Sequence, residues 1–448
     1  MKTTKNFLTL ALVLFAVASF AQQPELQFYR PWNKDGINVF EPAKKTEQPE
    51  YDGFKLRIGG AFTQYYQRMY HENNPNGKNY LYGTIASENE TKSADLNGFS
   101  LAMANLNFDF QIEDGIRVCL ENYMSARHHN EFWVKGGYIQ IDKLPMLGNP
   151  DWYAKNFRVK IGHFQPNYGD QQFRRTDGGN AIYNAFGENF ILDAFATEIG
   201  GEVSAFPVDG VVLIAGMTSG MISGNIENYP EKPIGSNLEP TKRNPSIYLK
   251  AAFDKQVNDD LRVRLSASTY QNSSIVRNTL YAGDRTGSHY FMVMEPNTTG
   301  VTATTNFTSG RFNPGLTNRV SAVMINPFVK FKGLELFGAY EIAKGGTYTE
   351  ANDREWTQFV AEGVFRFLPN EQAYIGARYN TTTGRPSGTA YTADVTIERT
   401  SLVAGWFPTR NLLLKGELVS QKYIDFPTSV IYNEGKFNGL LIEAVIGF

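Results

Sequence analysis

Apolar side chains at every second position, recurring along a chain of 448 residues, limit what this sequence can fold into more than any other feature. Phe54, Leu56 and Ile58 alternate with Lys55, Arg57 and Gly59, and Leu106, Phe108 and Phe110 alternate with Asn105, Asn107 and Asp109. The period returns at Phe157, Val159 and Ile161 against Arg158, Lys160 and Gly162. It returns again at Leu261, Val263, Leu265 and Ala267 against Arg262, Arg264, Ser266 and Ser268. Successive side chains of a strand point to opposite faces, so each segment carries one apolar and one polar side. After residue 21 no run of 18 apolar residues occurs, which excludes a membrane-spanning helix. Two architectures remain: an exported soluble β protein, or a closed membrane barrel, whose backbone groups are all paired within the ring.

The breaks between strands separate these two. An up-and-down barrel alternates short turns on one side with longer loops on the other. Counting back from the carboxyl end, short breaks fall near 408–411, 369–371, Gly333, 255–260, 207–210 and 113–115. Longer polar stretches fall between them, near 424–436, 382–395, 346–354, 271–321, 222–245, 165–193, 126–131 and 70–98. Segment 144–156 is the one long connection that must sit on the turn side. The count predicts an all-β, transmembrane, antiparallel barrel of about 16 strands over 54–448, with both ends on the turn side. A secreted sandwich or propeller would alternate too, but needs no such parity, and no propeller-like repeat is visible.

The amino terminus suggests the compartment. Lys2 and Lys5 precede an apolar stretch from Phe7 to Val17, and Ser19-Phe20-Ala21 supplies the small residues of a cleavage site, so 1–21 reads as an export signal. Residues 22–53, rich in Pro, Gln, Glu and Lys and without period, read as a loosely ordered periplasmic extension. With 43 basic and 45 acidic residues the chain has no field that would favour nucleic acid. The lone Cys119 excludes an internal disulfide.

The chain ends Leu440-Leu441-Ile442-Glu443-Ala444-Val445-Ile446-Gly447-Phe448. A terminal aromatic with apolar residues at every second preceding position looks like the signal read by the bacterial outer-membrane assembly machinery, which makes that machinery an expected partner of Phe448. The segment Lys160-Ile161-Gly162-His163-Phe164-Gln165-Pro166-Asn167-Tyr168-Gly169-Asp170, continuing through Phe173-Arg174-Arg175-Thr176-Asp177-Gly178-Gly179-Asn180-Ala181, resembles the third-loop region of outer-membrane porins of the Bacteroidetes type. Those porins are distantly similar to phosphate-selective porins O and P. The resemblance implies passive diffusion of small hydrophilic solutes through a water-filled barrel in the cell outer membrane, facing lipid and lipopolysaccharide. It also implies a homotrimer and a third loop folded inward as a constriction. No ladder of arginines is traceable, so phosphate selectivity does not carry over.

Within that third loop, Arg174 and Arg175 stand near Asp170, Asp177, Glu188 and Asp193. Opposed charges across a narrow aperture set a transverse field that filters by charge. The other reading is that the arginines pin the loop to wall carboxylates such as Glu198 and Glu202. Lys55/Arg57, Arg158/Lys160, Arg262/Arg264 and Lys330/Lys332 fall at turn-side strand ends and read either as a basic vestibule or as ion-paired lumen. Trp133, Trp356 and Trp406 read as interfacial belt residues. The five histidines form no metal-binding helix motif and no nucleophile turn is present, so no metal, no cofactor and no catalytic set is expected. The functional expectation is a general or mildly anion-preferring diffusion channel. A channel specific for phosphate or oligosaccharide is the nearest alternative, and an outer-membrane enzyme or surface adhesin stands further off.

Overall fold

The computed structural model describes residues 23–448 apart from 45–46, 75–79, 84–85, 88–89, 92–93, 126–130, 227–242, 283–286, 307 and 309. The export segment 1–21 lies outside the described residues, as do His128 and His129. Sixteen strands form one ring: β1 (Lys55–Glu72), β2 (Ala94–Glu113), β3 (Ile116–Met124), β4 (Trp133–Ile141), β5 (Phe157–Phe164), β6 (Glu198–Ala205), β7 (Val211–Thr218) and β8 (Ser246–Gln256). The ring continues through β9 (Leu261–Asn272), β10 (Arg319–Phe331), β11 (Leu334–Gly346), β12 (Arg354–Phe367), β13 (Ala373–Gly384), β14 (Val395–Thr409), β15 (Leu412–Ile424) and β16 (Lys436–Gly447). Each strand pairs antiparallel with its chain neighbours, and the ring closes between β1 and β16 from Ala61↔Gly447 to Glu72↔Lys436. The carboxyl terminus completes the seam: Phe448 and Gly60 exchange both backbone hydrogen bonds at 3.1 Å, and the Phe448 ring stacks on Phe62. The strand count and the alternation of turns and loops follow the sequence reading. Segment 144–156 does lie on the turn side, where it folds into a short helix, Asp151–Asn156.

The ring is inside-out relative to a soluble protein. Leu265, Phe359, Ile375, Leu402, Leu418 and Ile442 point outward and are exposed, while Arg264, Glu341, Gln358, Asn380, Arg399 and Glu443 point inward and are buried. Because side chains alternate, one register satisfies both demands at once, and a slip by one residue would turn charges toward lipid. Tight turns keep that register. Phe331 pairs with Leu334 across the two-residue turn Lys332-Gly333. Lys332 adopts φ 51°, and a Cβ on Gly333 would meet the Arg366 carbonyl oxygen at 2.1 Å. Lys332 therefore sits at the rim with an exposed side chain, 3.6 Å from Asp260, and does not face inward as the alternation suggested. Trp133 and Trp406 are outward and exposed as expected of a belt. Trp356 is not: it is fully buried on the inner face, its ring against Phe312 and its Nε1 donating to the Arg385 carbonyl.

The lumen is occupied by chain. Three segments fill it: the third loop between β5 and β6, the inner part of the fifth loop between β9 and β10, and the N-terminal stretch 23–44. The expectation of a loosely ordered extension is corrected here. Leu26, Phe28 and Phe40 are buried, and Gln27 bonds Gln111 and Asp114 of the wall and its turn. The fifth loop enters through His289–Glu295, where Phe291 and Gln67 exchange two hydrogen bonds.

Leu402, midway along β14 and paired with Ala377 and Leu418, tests the orientation of the faces. Leu402→Arg should cost about 2–4 kcal/mol of unfolding free energy in lipid, as for a cation near the midplane. Leu402→Phe should cost little. Urea titration of the folded protein in vesicles, followed by tryptophan emission, reads both.

Candidate functional site

A loop buried in a barrel cannot leave its backbone polar groups to water, so the wall must satisfy them. The third loop crosses the lumen from β5 to the far wall and is met there residue by residue. Gly169 N donates to Ser268 Oγ at 2.9 Å, Asp170 N to Asn326 Oδ1 at 2.9 Å, and Gly187 N to Glu417 Oε2 at 2.8 Å. Ile191 N donates to Asn380 Oδ1 at 2.7 Å, and Leu192 N to Gln358 Oε1 at 2.9 Å. Its carbonyls accept from wall cations: Phe186 O from Lys415 at 2.9 Å, Glu188 O from Arg378 at 2.5 Å, and Asn189 O from Arg399 at 2.7 Å.

The side chains singled out in this loop are all brought inside the ring, but not to one aperture. Arg175 is fully buried, shared between Asp177 and Asp193 at 2.8 Å each, with its guanidinium 3.9 Å from the Phe195 ring centroid. Arg174 reaches Glu362 at 3.5 Å, Glu335 at 3.8 Å and the amide oxygen of Asn38. Arg174 therefore pins the loop to the wall and Arg175 ties two stretches of the loop to each other, and the expectation that they line a water-filled constriction is corrected. The wall carboxylates also differ from those expected: Glu198 accepts instead from Tyr270 and Thr218, and Glu202 from Tyr248. Glu188 accepts from the backbone of His289 at 2.7 Å, tying the third loop to the fifth. Asp177 accepts from Asn189 at 2.5 Å and lies 3.8 Å from Arg311.

Asp170 is the centre of a second buried cluster. It accepts a bidentate pair from Arg264, both bonds 2.8 Å, and lies 2.7 Å from Lys250. Glu41 of the N-terminal stretch joins the same two cations, 2.9 Å from Lys250 and 2.8 Å from Arg264. Burial alone would raise the Glu41 carboxyl, yet Arg264 and Lys250 hold it at about 2. Asp170 is likewise held well below the ordinary carboxylate range by Lys250 and Arg264, against its own burial. Two more bonds fasten the N-terminal stretch: Lys44 to Asp142 at 3.0 Å, and Asn38 Nδ2 to Glu335 at 2.7 Å.

The basic residues at the turn-side strand ends are mostly ion-paired. Lys55 meets Asp52 at 2.7 Å, Arg158 meets Asp142 at 2.8 Å, Arg262 meets Asp254 at 2.7 Å and Lys330 meets Glu371 at 2.9 Å. Lys160 lies 3.8 Å from Glu202, and Arg57 donates to the Pro24 carbonyl at 3.3 Å. Of the two readings, ion-paired lumen describes them better than an open basic vestibule.

One of several cavities, of about 170 Å³, lies between the N-terminal stretch, the third loop and the wall of β2–β5, and a larger one of about 890 Å³ opens on the turn side of the N-terminal stretch. Arg30, Arg117, Lys135 and Lys160 line the smaller one against two carboxylates, Asp109 and Glu121, with Tyr29, Tyr138, Phe173 and Phe195 between them. Of the four cations, Lys160 is the one singled out above from the sequence. Arg30 was missed because it lies in an aperiodic segment, and Lys135 was missed as well. Arg399 and Arg311 were missed too. Among the described residues no cluster of three or more His, Cys, Asp or Glu side chains is arranged to hold a metal.

Solved structures similar to the chain include the anion-selective porin from Comamonas acidovorans, at TM-score 0.51 and 11% identity over 88% of this chain and 100% of that one. They also include the outer membrane channel DcaP of Acinetobacter baumannii, at TM-score 0.52 and 10% identity over 89% and 99%. At such identities the likeness is one of fold, a closed antiparallel 16-strand barrel. No family model matches the chain and no curated protein matches it.

Carboxyls held low in the folded state contribute stability above their unfolded value, near 4, and lose it as pH falls through the folded value. For Glu41 that value is about 2. Pepsin should therefore leave 23–44 intact in the folded barrel at pH 4 and about pH 3, and cleave it only as the pH approaches about 2. Cleavage already at pH 4 would show that these ion pairs do not hold the segment.

Proposed function

We propose that the chain is an outer-membrane channel for small hydrophilic solutes, with a mild preference for anions. One observation carries the reading: a closed ring, apolar outside and ionic inside, keeps a cavity lined by four cations against two carboxylates. An apolar outer band with a polar interior is the physical signature of a barrel that lipid surrounds. A channel field of one sign raises the local concentration of the opposite ion. In this reading the protein is exported, its turn side and both termini face the periplasm, Phe448 is read by the assembly machinery, and three copies associate. It works by passage, without catalysis or cofactor.

A narrower version, a channel specific for one class of solute, is favoured by a separate observation. Sixteen strands leave room for a wide aqueous pore, and here three chain segments occupy it with their polar groups bonded to the wall. That arrangement supports a small aperture over a general diffusion pore.

Single-channel recording in planar bilayers under a potassium chloride gradient tests the proposal. The expected result is small open steps with a reversal potential on the anion side, shifted toward cations by Lys135→Glu with Lys160→Glu. Absence of any step from correctly folded protein would overturn it. Arg174→Glu should instead lower barrel stability by about 3–5 kcal/mol, the cost of breaking a buried pair by replacing one partner.

A further inference from the structure

We propose that the 170 Å³ cavity beside the third loop binds a small, flat organic anion of the arene-carboxylate class. The inference rests on the channel reading and names the solute class that its narrow part would take.

Size is the first constraint. A cavity of about 150 Å³ accommodates benzene in a protein interior, so this space holds one six-membered ring with a small substituent and little more. Charge is the second. Arg30, Arg117, Lys135 and Lys160 outnumber Asp109 and Glu121 on its wall, so a ligand of negative charge is favoured and a cation is not. The third constraint is the chemistry between the charges. The cations stand over aromatic faces: Arg30 3.8 Å from the Tyr183 centroid, Lys135 4.8 Å from Phe195, Lys160 5.2 Å from Tyr138. A ring inserted there meets other rings at its edges and faces, whereas a phosphate ion would gain nothing from them.

Unpartnered donors supply the fourth. Arg117 is buried, and its Nε has no hydrogen-bond partner although its two terminal nitrogens bond Asp109 and Gln140. Tyr29 Oη, on the N-terminal stretch that forms the opposite side of the same cavity, is likewise buried and unpartnered. A buried donor left unmet keeps its desolvation cost without return. A carboxylate offers only acceptors, with room for several donors at once. One lining acceptor is unmet as well, Asp109 Oδ2. Two donors against one acceptor still favour an acceptor ligand.

The test is calorimetric titration of the full chain, folded in detergent, with benzoate, inorganic phosphate and benzylammonium as probes. Benzoate should bind at least about tenfold more tightly than phosphate, a gap of about 1.4 kcal/mol, and benzylammonium should give no saturable heat. Lys135→Gln with Lys160→Gln should weaken benzoate by about tenfold or more. Lys160→Gln alone, at a partly exposed position, should weaken it measurably if the double variant fails to fold. Phosphate binding as tightly as benzoate would overturn the proposal by showing a plain anion site, and equal binding of benzylammonium would overturn it by showing an apolar one. Benzoate affinity unchanged in the variants would also overturn it. Titration reads binding without conduction. A protein that conducts but takes up no benzoate therefore sinks this site and leaves the channel reading standing, whereas one that binds benzoate without conducting upholds the site.

Discussion

Asp170, buried inside the ring and shared by Lys250 and Arg264, ties together parts of the chain that no strand pairing connects. Through the same two cations it fixes the third loop to β8 and β9 and, by way of Glu41, fixes the N-terminal stretch to both. Removing one member of such a buried cluster leaves an uncompensated charge and costs about 3–5 kcal/mol. A lumen of this width would otherwise fill with water. It is the wall's charged and amide side chains, presented inward by the strand period, that let polypeptide take water's place. The fastening is repeated along the loop by Arg378, Lys415 and Arg399, each donating to a loop carbonyl, and by Asn326, Asn380 and Gln358, each accepting from a loop amide.

The ring itself was legible in the sequence because lipid imposes a strict rule. Every second residue of a spanning strand must be apolar, and Leu261-Arg262-Val263-Arg264-Leu265 shows the rule in five residues. Turn parity added the topology, including the unusual placement of 144–156. The rule weakens where a strand no longer faces lipid over its whole length. Trp356 is aromatic and near a strand end, yet it packs inward against Phe312, because the inner surface there faces a filled lumen.

What lies inside the ring was far less legible. Burial in the lumen follows the shape of a cavity, which has no period, so Leu26, Phe28 and Phe40 sit in a segment whose Pro, Gln and Glu content reads as loop. Arg174 and Arg175 were recognisable as important, but charge alone does not separate a side chain that lines an aperture from one that pins a backbone. The signal that could have told them apart is the set of uncharged amides on the inner face that meet loop backbone, Gln67, Asn326, Gln358 and Asn380. Water does not demand carboxamides on a lumen wall, whereas a polypeptide backbone lying against the wall does.

The N-terminal stretch lies within the barrel, with Asn38 against the β11 wall, and a cross-link between the two reads that placement directly. With Cys119 changed to Ser, cysteines replacing Asn38 and Glu335, whose side chains hydrogen-bond at 2.7 Å, should be bridged by a short thiol–thiol cross-linker such as dibromobimane in most of the folded protein, as read by mass spectrometry of the digested chain. Two unbridged thiols in a correctly folded barrel exposed to the cross-linker would contradict the account.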